Sequence, residues 1–163
     1  MVRIRKARLE DVPVLERMEE SYARDQRKLV LKENPKLRPY MQRRQGQARE
    51  IRKWLRKCIR STNTLVFLAE LEGEPIGFSV ISIQTNPPIR RLRRHGSIDL
   101  LYVEKVHRGQ GVSSSMMKVA LAWFQRRGVR HLSLQVINDN RLARAIYDKW
   151  GFYDFFVEMR RAL

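Results

Sequence analysis

A glycine-rich turn between a strand-like and a helix-like segment most strongly constrains what this chain can fold into. Residues 97–103 are rich in β-branched, aromatic and aliphatic side chains, which is typical of a β-strand. From Val112 to Arg127, apolar side chains recur at helical intervals, and Gly128 is a typical helix stop. The turn Arg108-Gly109-Gln110-Gly111 therefore joins the end of a strand to the start of a helix.

Glycines at such a turn favour binding of an anion. Without side chains in the way, several backbone N–H groups can converge on an anion at the positive end of the helix dipole, and a pyrophosphate suits this arrangement. Two other phosphate loops are excluded by spacing. A Walker loop needs a Gly-Lys-Ser/Thr end, and no lysine stands at that place. The dinucleotide fingerprint needs a third glycine, where Ser114 stands, and an acidic residue at the ribose distance, which is absent.

A second motif follows one strand later. Alternating residues from Leu132 to Ile137 predict a half-buried strand, and Asn138-Asp139-Asn140 supplies helix-capping side chains. A short helix is then expected from Arg141 to Trp150, ended by Gly151. The pattern reads Asn140-x-x-Ala143-x-x-x-Tyr147-x-x-x-Gly151-Phe152.

The two motifs, in this order, resemble the GCN5-related N-acetyltransferase (GNAT) family, whose phosphate loop has the pattern Arg/Gln-x-x-Gly-x-Gly/Ala. Arg108 and Gly111 match this pattern, whereas Ser113 replaces the usual glycine or alanine with another small residue. The resemblance implies acetyl-CoA as cosubstrate and no metal. It also implies cofactor contacts from Tyr102, Val103, Arg108, Gly109, Gln110, Gly111, Val112, Ser113, Asn140 and Tyr147.

The resemblance further implies the architecture. We expect residues 1–163 to form a single domain of the α/β (α+β) class with the acyl-CoA N-acyltransferase fold. In that fold, helices flank a mixed, mostly antiparallel sheet, and the pantetheine arm of the cofactor lies where two central strands splay apart.

Two residues are predicted to be catalytic. Acetyl transfer from a thioester to a primary amine, by direct attack in a ternary complex, needs a proton for the sulfur and a base for the ammonium. By resemblance, Tyr147 is the acid; its alternative is a half-buried helical aromatic. Asp99 leads as the base, because the neighbouring strand carries the neutral Gln135; a salt-bridged Asp99 and a water wire are the alternatives. Cys58 is expected to pack in the core.

The remaining segments predict the other elements in order. We expect a strand at residues 2–5, a helix from about Asp11, an unassigned charged stretch from Tyr22 to Pro39, and a helix at residues 48–59. Residues 64–71 and 75–83 flank Glu72-Gly73-Glu74 as a hairpin. A final strand is predicted at residues 153–161.

The charge requires its own explanation. The chain has 34 Lys plus Arg against 17 Asp plus Glu, a net charge of +17, which is more than the phosphates of CoA require. The excess is concentrated between Arg24 and Arg60 and in Arg90, Arg91, Arg93 and Arg94. Three interpretations are open: a solvated, stabilising surface; an amine acceptor that is acidic or carried on an acidic partner; or a weak or inactive GNAT-fold module that binds nucleic acid or ribosomal particles.

Location and assembly follow from weaker signals. The first seven residues are too polar for a signal peptide, and no apolar run approaches the length of a membrane span, so we expect a cytoplasmic protein without membrane contact. The chain is expected to be a monomer or a homodimer, with the apolar final strand as a candidate dimer edge.

Overall fold

Five strands form one mixed sheet in the order β1-β2-β3-β4-β5. A computed structural model describes residues 1–161 of the chain. The strands are β1 (Val2–Lys6), β2 (Thr64–Leu71), β3 (Glu74–Thr85), β4 (Arg94–Val103) and β5 (Leu132–Leu134). Strands β1 to β4 pair with one another in antiparallel fashion, whereas β4 pairs with β5 in parallel. The predicted hairpin and the predicted mixed, mostly antiparallel sheet are both confirmed.

Four helices flank this sheet: α1 (Val12–Glu33), α2 (Gln47–Arg60), α3 (Val112–Arg126) and α4 (Arg141–Lys149). Helix α1 continues into the charged stretch that the sequence left unassigned, as far as Glu33. It ends at Asn34, whose side chain accepts a hydrogen bond from the N–H of Lys36 as the next 3-10 turn (Pro35–Met41) begins. Burial of Val30 near the end of α1 explains why the helix persists among so many charges.

The two faces of the sheet carry separate cores. Helices α1 and α2 cover one face through a cluster that includes Leu15, Leu55 and Phe78. Helix α3 covers the other face with Met116 and Phe124. It packs directly on the backbone of β4, because a Cβ atom at Gly96 would lie 2.5 Å from the ring of Phe124.

Strand β4 changes direction at a bulge and then loses one of its neighbours. Val80 pairs with Leu100 and Ile81 with Ile98, so Asp99 is the extra residue. Strand β5 pairs with β4 only at residues 96–98, although β4 continues to Val103. The edge of β4 that faces β5 is therefore left without a strand partner from 99 to 103 in the described structure. This gap confirms the predicted splay, and it explains why β5 is shorter than the sequence pattern indicates.

The predicted final strand is wrong. Residues 153–161 form no strand, and Tyr153, Phe155, Phe156 and Val157 are exposed. A strand needs a neighbouring strand to accept and donate its backbone hydrogen bonds, and β5 is only three residues long. The apolar pattern of residues 153–161 is therefore not sufficient to form a strand. None of the helices in residues 1–161 combines the length and the apolar character that a membrane crossing requires.

Candidate functional site

The glycine turn opens helix α3 with free backbone donors. Gly111 is the N-cap residue with φ 77°, and Gly109 has φ 76°, conformations that favour glycine. The first intrahelical bond at this end runs from the N–H of Ser115 to the carbonyl of Gly111, at 3.0 Å. Within residues 1–161, the N–H groups of Val112, Ser113 and Ser114 donate to no protein acceptor. Their partial positive charge is available to an anion.

The side chain of Arg108 connects the glycine turn to β4 and α1. Its Nε donates to the carbonyl oxygen of Val103 at 2.8 Å, and one terminal nitrogen donates to Asp25 of α1 at 2.7 Å. The guanidinium also lies 5.5 Å from the ring centroid of Tyr102. Gln110 adds a 3.1 Å bond from its amide to the carbonyl of Val106. The turn is thus held to the end of β4 and to α1.

Asp25 forms ion pairs with two cations beside the glycine turn, Arg108 and Lys105. Besides Arg108, the Nζ of Lys105 lies 3.1 Å from its other carboxylate oxygen. Burial acts to raise the pKa of Asp25, but the hydrogen bonds and positive charges of Arg108 and Lys105 outweigh it, and the pKa is lowered. The carboxylate therefore stays ionised and neutralises part of the charge beside the loop.

Asn140 is the N-cap residue of helix α4, and Tyr147 lies near the end of the same helix. The Oδ1 of Asn140 accepts a hydrogen bond from the N–H of Ala143 at 3.1 Å, which caps the helix and directs the amide nitrogen away from it. The ring of Tyr147 packs against Trp150 and Phe152, with centroids 5.8 and 6.0 Å apart. Both predicted residues thus belong to the segment that follows β5 along the chain.

Tyr22 contacts Tyr102, and Tyr147 of α4 is close enough to Tyr22 to be affected by its phenol. The rings of Tyr22 from α1 and Tyr102 from β4 meet edge to face at 6.2 Å. Burial, and secondly the neighbouring phenol of Tyr22, raise the pKa of Tyr147 to about 12. Burial and the hydrogen bond from Tyr102 to Glu104, 3.0 Å long, likewise raise the pKa of Tyr102 to about 12. All three phenols are neutral near pH 7 and can donate hydrogen bonds.

Asp99 stands apart from these residues. It is exposed at the bulge of β4, where its carboxylate accepts a 2.5 Å bond from the hydroxyl of Ser97 and a 3.5 Å contact from the amide of Gln84. Burial, followed by the charge of Asp99, raises the pKa of Cys58 to about 11, so Asp99 faces the α2 side of the sheet. In the described residues, none of its polar contacts reaches the glycine turn or Tyr147. Its role as base remains a prediction.

Comparison with known proteins decides the family. The family model described as "Acetyltransferase (GNAT) family" matches residues 15–152, most of the chain. The chain belongs to this family. The match covers both sequence motifs and the whole of the gap between β4 and β5, and the predicted resemblance is confirmed.

Individual relatives of this GNAT chain are more distant. It is 34% identical over 87 residues to mycothiol acetyltransferase of Amycolatopsis mediterranei, a match that covers 53% of the chain and 29% of that protein. It is 31% identical over 87 residues to N-alpha-acetyltransferase 30 of Saccharomyces cerevisiae, covering 53% of the chain and 46% of that protein. The matches thus span less than half the length of each of these curated relatives.

A solved structure extends the likeness to the whole fold. A predicted acetyltransferase from Clostridium acetobutylicum, crystallised with acetyl-CoA, superposes with a TM-score of 0.78 and 20% identity. The match covers 98% of this chain and 96% of that one. At this identity the likeness establishes the fold, which confirms the predicted GNAT architecture.

The sequence motifs did not identify two residues that structure this GNAT site, Tyr22 and Asp25. Both come from the stretch of α1 that carried no readable signature. One signal was present, since Asp25 is the sole acidic residue between Glu20 and Glu33 and stands three positions after Tyr22, on one helical face. Its partner Arg108 is 83 positions away, a contact that local patterns do not reveal.

Proposed function

We propose that this chain is an N-acetyltransferase that moves an acetyl group from acetyl-CoA to a primary amine. The observation that carries the proposal is the set of free N–H groups at the start of α3, beside the unpartnered edge of β4. The first feature suits a pyrophosphate, and the second suits an extended arm with amide groups. The residues present therefore fit acetyl-CoA, whose role is to supply an activated acetyl group as a thioester.

The phosphate end of the site consists mainly of backbone. The N–H groups between Gly109 and Ser113 bind the pyrophosphate, while Val112, buried beneath them, anchors the first turn of α3 in the core. Arg108 acts through Val103 and Asp25, so we assign it to positioning of the loop. Tyr102 and Val103 form the wall where β4 ends.

The chemical step exchanges one bond for another. A neutral amine attacks the thioester carbonyl, a C–N bond forms, the nitrogen loses one proton, the C–S bond breaks, and the sulfur takes up one proton. We assign the proton donor to Tyr147. Its pKa of about 12 makes it a weaker acid than a thiol, whose pKa is about 8.5. Its contribution is therefore a hydrogen bond to the sulfur that strengthens as negative charge develops there, and net proton transfer along this bond requires that the phenolate regain the proton that the nitrogen loses.

The attacking amine must first lose the proton of its ammonium form. We retain Asp99 as the candidate base, with ordered water as the alternative. Its exposed position at the bulge of β4 supports access from solvent and from the α2 side, where the acceptor would enter. Asn140 binds the arm of acetyl-CoA with the amide nitrogen that capping leaves free.

The acceptor is proposed to be a single primary amine on a small or acidic molecule. A net charge of +17 repels polycations such as aminoglycosides and basic protein tails. On the α1 side, Glu19 is bonded to both terminal nitrogens of Arg43, at 2.5 and 2.9 Å, which fixes the segment before α2 against α1. This ion pair gives the acceptor side a defined wall.

The decisive experiment is a calorimetric titration of the purified protein with acetyl-CoA at about 0.15 M salt. We expect saturable binding at one site, followed by CoA release when a panel of amines is added. A folded protein that does not bind acetyl-CoA would refute the proposal and favour a GNAT-fold binding module without activity.

A further inference from the structure

Helix α2 carries a continuous face of cations. Arg49, Lys53, Arg56, Lys57 and Arg60 recur at intervals that place them on one side of the helix, and with Ser61 they line a shallow concave surface. The opposite side of α2 buries Leu55 and Cys58 against the sheet. We call these five residues the α2 cationic face.

Unlike the cations near the glycine turn and on the flank of α2, the clustered cations of the α2 cationic face have no compensating carboxylate within residues 1–161. Arg52, on the flank of the same helix, lies 3.6 Å from Glu16, and Lys105 and Arg108 share Asp25. Throughout the described residues 1–161, no member of the α2 cationic face lies within ion-pair distance of an acidic side chain. Unpaired like charges repel one another, so this face is electrostatically costly for the free protein.

A second set of cations lies where α2 ends. Strand β2 starts shortly after Arg60, and pairing of Thr64 with Ser82 and of Thr85 with Arg94 places the start of β2, the end of β3 and the start of β4 at one end of the sheet. The loop between β3 and β4 carries the arginines of positions 90, 91 and 93, and Arg94 begins β4. These also lack ion pairs within residues 1–161.

This end of the sheet is remote from the glycine turn. The turn follows the other end of β4, and nine residue steps of strand, about 30 Å, separate Arg94 from that end at Val103. Helix α2 packs over β2, two strands away from β4. The phosphates of acetyl-CoA at the glycine turn therefore do not account for the α2 cationic face.

We propose that the α2 cationic face binds the phosphodiester backbone of duplex nucleic acid, independently of base sequence. From Arg49 to Arg60 the cations extend about 16 Å along the helix, which corresponds to roughly five base pairs of duplex at 3.4 Å each. The residues that line the concave surface include no aromatic ring for stacking unpaired bases, which favours a duplex over a single strand. The apolar side of α2 is buried and cannot enter a membrane.

The test is fluorescence anisotropy of labelled 20-base-pair duplexes, one of DNA and one of RNA, titrated with the full chain between about 0.05 and 0.3 M salt. The variant replaces three members of the face: Lys53→Gln, Arg56→Gln and Lys57→Gln. If each makes one phosphate contact, the slope of log affinity against log salt should become shallower by about 3, and affinity near 0.15 M salt should fall on the order of 100-fold. All three side chains are exposed, so the fold should persist.

A matched control variant also removes three positive charges, but at positions outside the α2 cationic face. It carries Lys118→Gln, Arg126→Gln and Lys149→Gln, three exposed positions on α3 and α4. We expect the control to retain affinity within about threefold, because charges more than a Debye length from the bound duplex are largely screened. Saturating acetyl-CoA should leave duplex binding unchanged.

Several results would overturn the proposal. Equal losses in the two variants would show that net charge alone is responsible. Displacement of the duplex by acetyl-CoA would place the duplex at the glycine turn. Tighter binding of a poly-glutamate peptide, or of a single strand of equal length, than of either duplex would assign the face to another partner. The two duplexes together distinguish DNA from RNA as the source.

Discussion

Replacement of Gly111 tests whether the glycine turn binds the pyrophosphate. At Gly111 φ is 77°, and a Cβ atom added there meets nothing within 4 Å. Gly111→Glu therefore introduces no steric clash inside the protein. The left-handed backbone costs a non-glycine residue about 1 to 2 kcal/mol, which for a chain of this size lowers the Tm by only a few degrees.

The effect on acetyl-CoA should be much larger than the effect on stability. A glutamate carboxylate about 5 Å from a doubly charged pyrophosphate is repelled by roughly 2 kcal/mol even at the dielectric constant of water. The repulsion is greater at a site that excludes water. Since 1.4 kcal/mol is a factor of ten, we expect the Kd to rise by at least about 20-fold.

The chain offers a matched control for this variant. Gly46 also has φ 77°, is also the N-cap residue of a helix, and also has open space around its Cβ position. Gly46→Glu thus imposes the same backbone strain at α2. Calorimetry on both variants, with thermal melts, separates the two effects. A similar Kd for Gly111→Glu and Gly46→Glu would refute the assignment of the loop.

The remaining predictions concern individual side chains. Tyr147→Phe should lower kcat on the order of 100-fold and change KM for acetyl-CoA little. Because the pKa of Tyr147 is about 12, Tyr147 stays protonated between pH 6 and 10, so wild type and variant should show the same shape of pH profile in that range. Unchanged turnover would return Tyr147 to packing. Asp99→Asn should reduce kcat if Asp99 is the base, whereas an unchanged kcat would favour ordered water. Asp25→Asn should raise KM for acetyl-CoA more than it lowers kcat, since it releases Arg108 and Lys105, and with them the loop, from α1; an unaltered KM would contradict this positioning role.

The lowered pKa of Asp25 also makes the free energy of unfolding depend on pH. A group with a depressed folded-state pKa stabilises the protein above its unfolded value, 3.8, and loses that contribution as pH falls through the folded value. Thermal melts of wild type and Asp25→Asn should therefore differ at pH 7 and converge as the pH falls below 3.8 and through the lowered folded-state value. A constant difference would mean that the ion pairs of Asp25 do not contribute.

The sequence could predict elements whose stability comes from local pattern. Helix α3 was expected at 112–127 and lies at Val112–Arg126, because apolar spacing and the glycines at both ends act within a few residues. It could not predict the bulge at Asp99, which depends on how β3 pairs with β4. It also could not predict the absence of a strand at 153–161, because an apolar run becomes a strand only where an edge is long enough to receive it.

The site shows the same division. Backbone conformation at Gly111 and the capping role of Asn140 follow from residue type and spacing, and both were predictable. The side chain of Arg108 was expected to serve the phosphates, yet in the structure it bonds to Val103 and Asp25. That outcome depends on where α1 crosses the end of β4. Contacts across 83 positions are set by tertiary packing, which no local pattern encodes.

Electrostatics therefore divides the molecule into two ends with different salt responses. Near the glycine turn, Asp25 neutralises part of the charge of Lys105 and Arg108, so recognition of acetyl-CoA relies on fixed backbone dipoles. Dipoles at short range are little affected by salt. At the other end, the α2 cationic face is uncompensated, and any polyanion bound there releases counterions. Raising salt from about 0.05 to 0.3 M should consequently weaken duplex binding by orders of magnitude while it changes the affinity for acetyl-CoA only modestly. Parallel losses would mean that one electrostatic field serves both ligands.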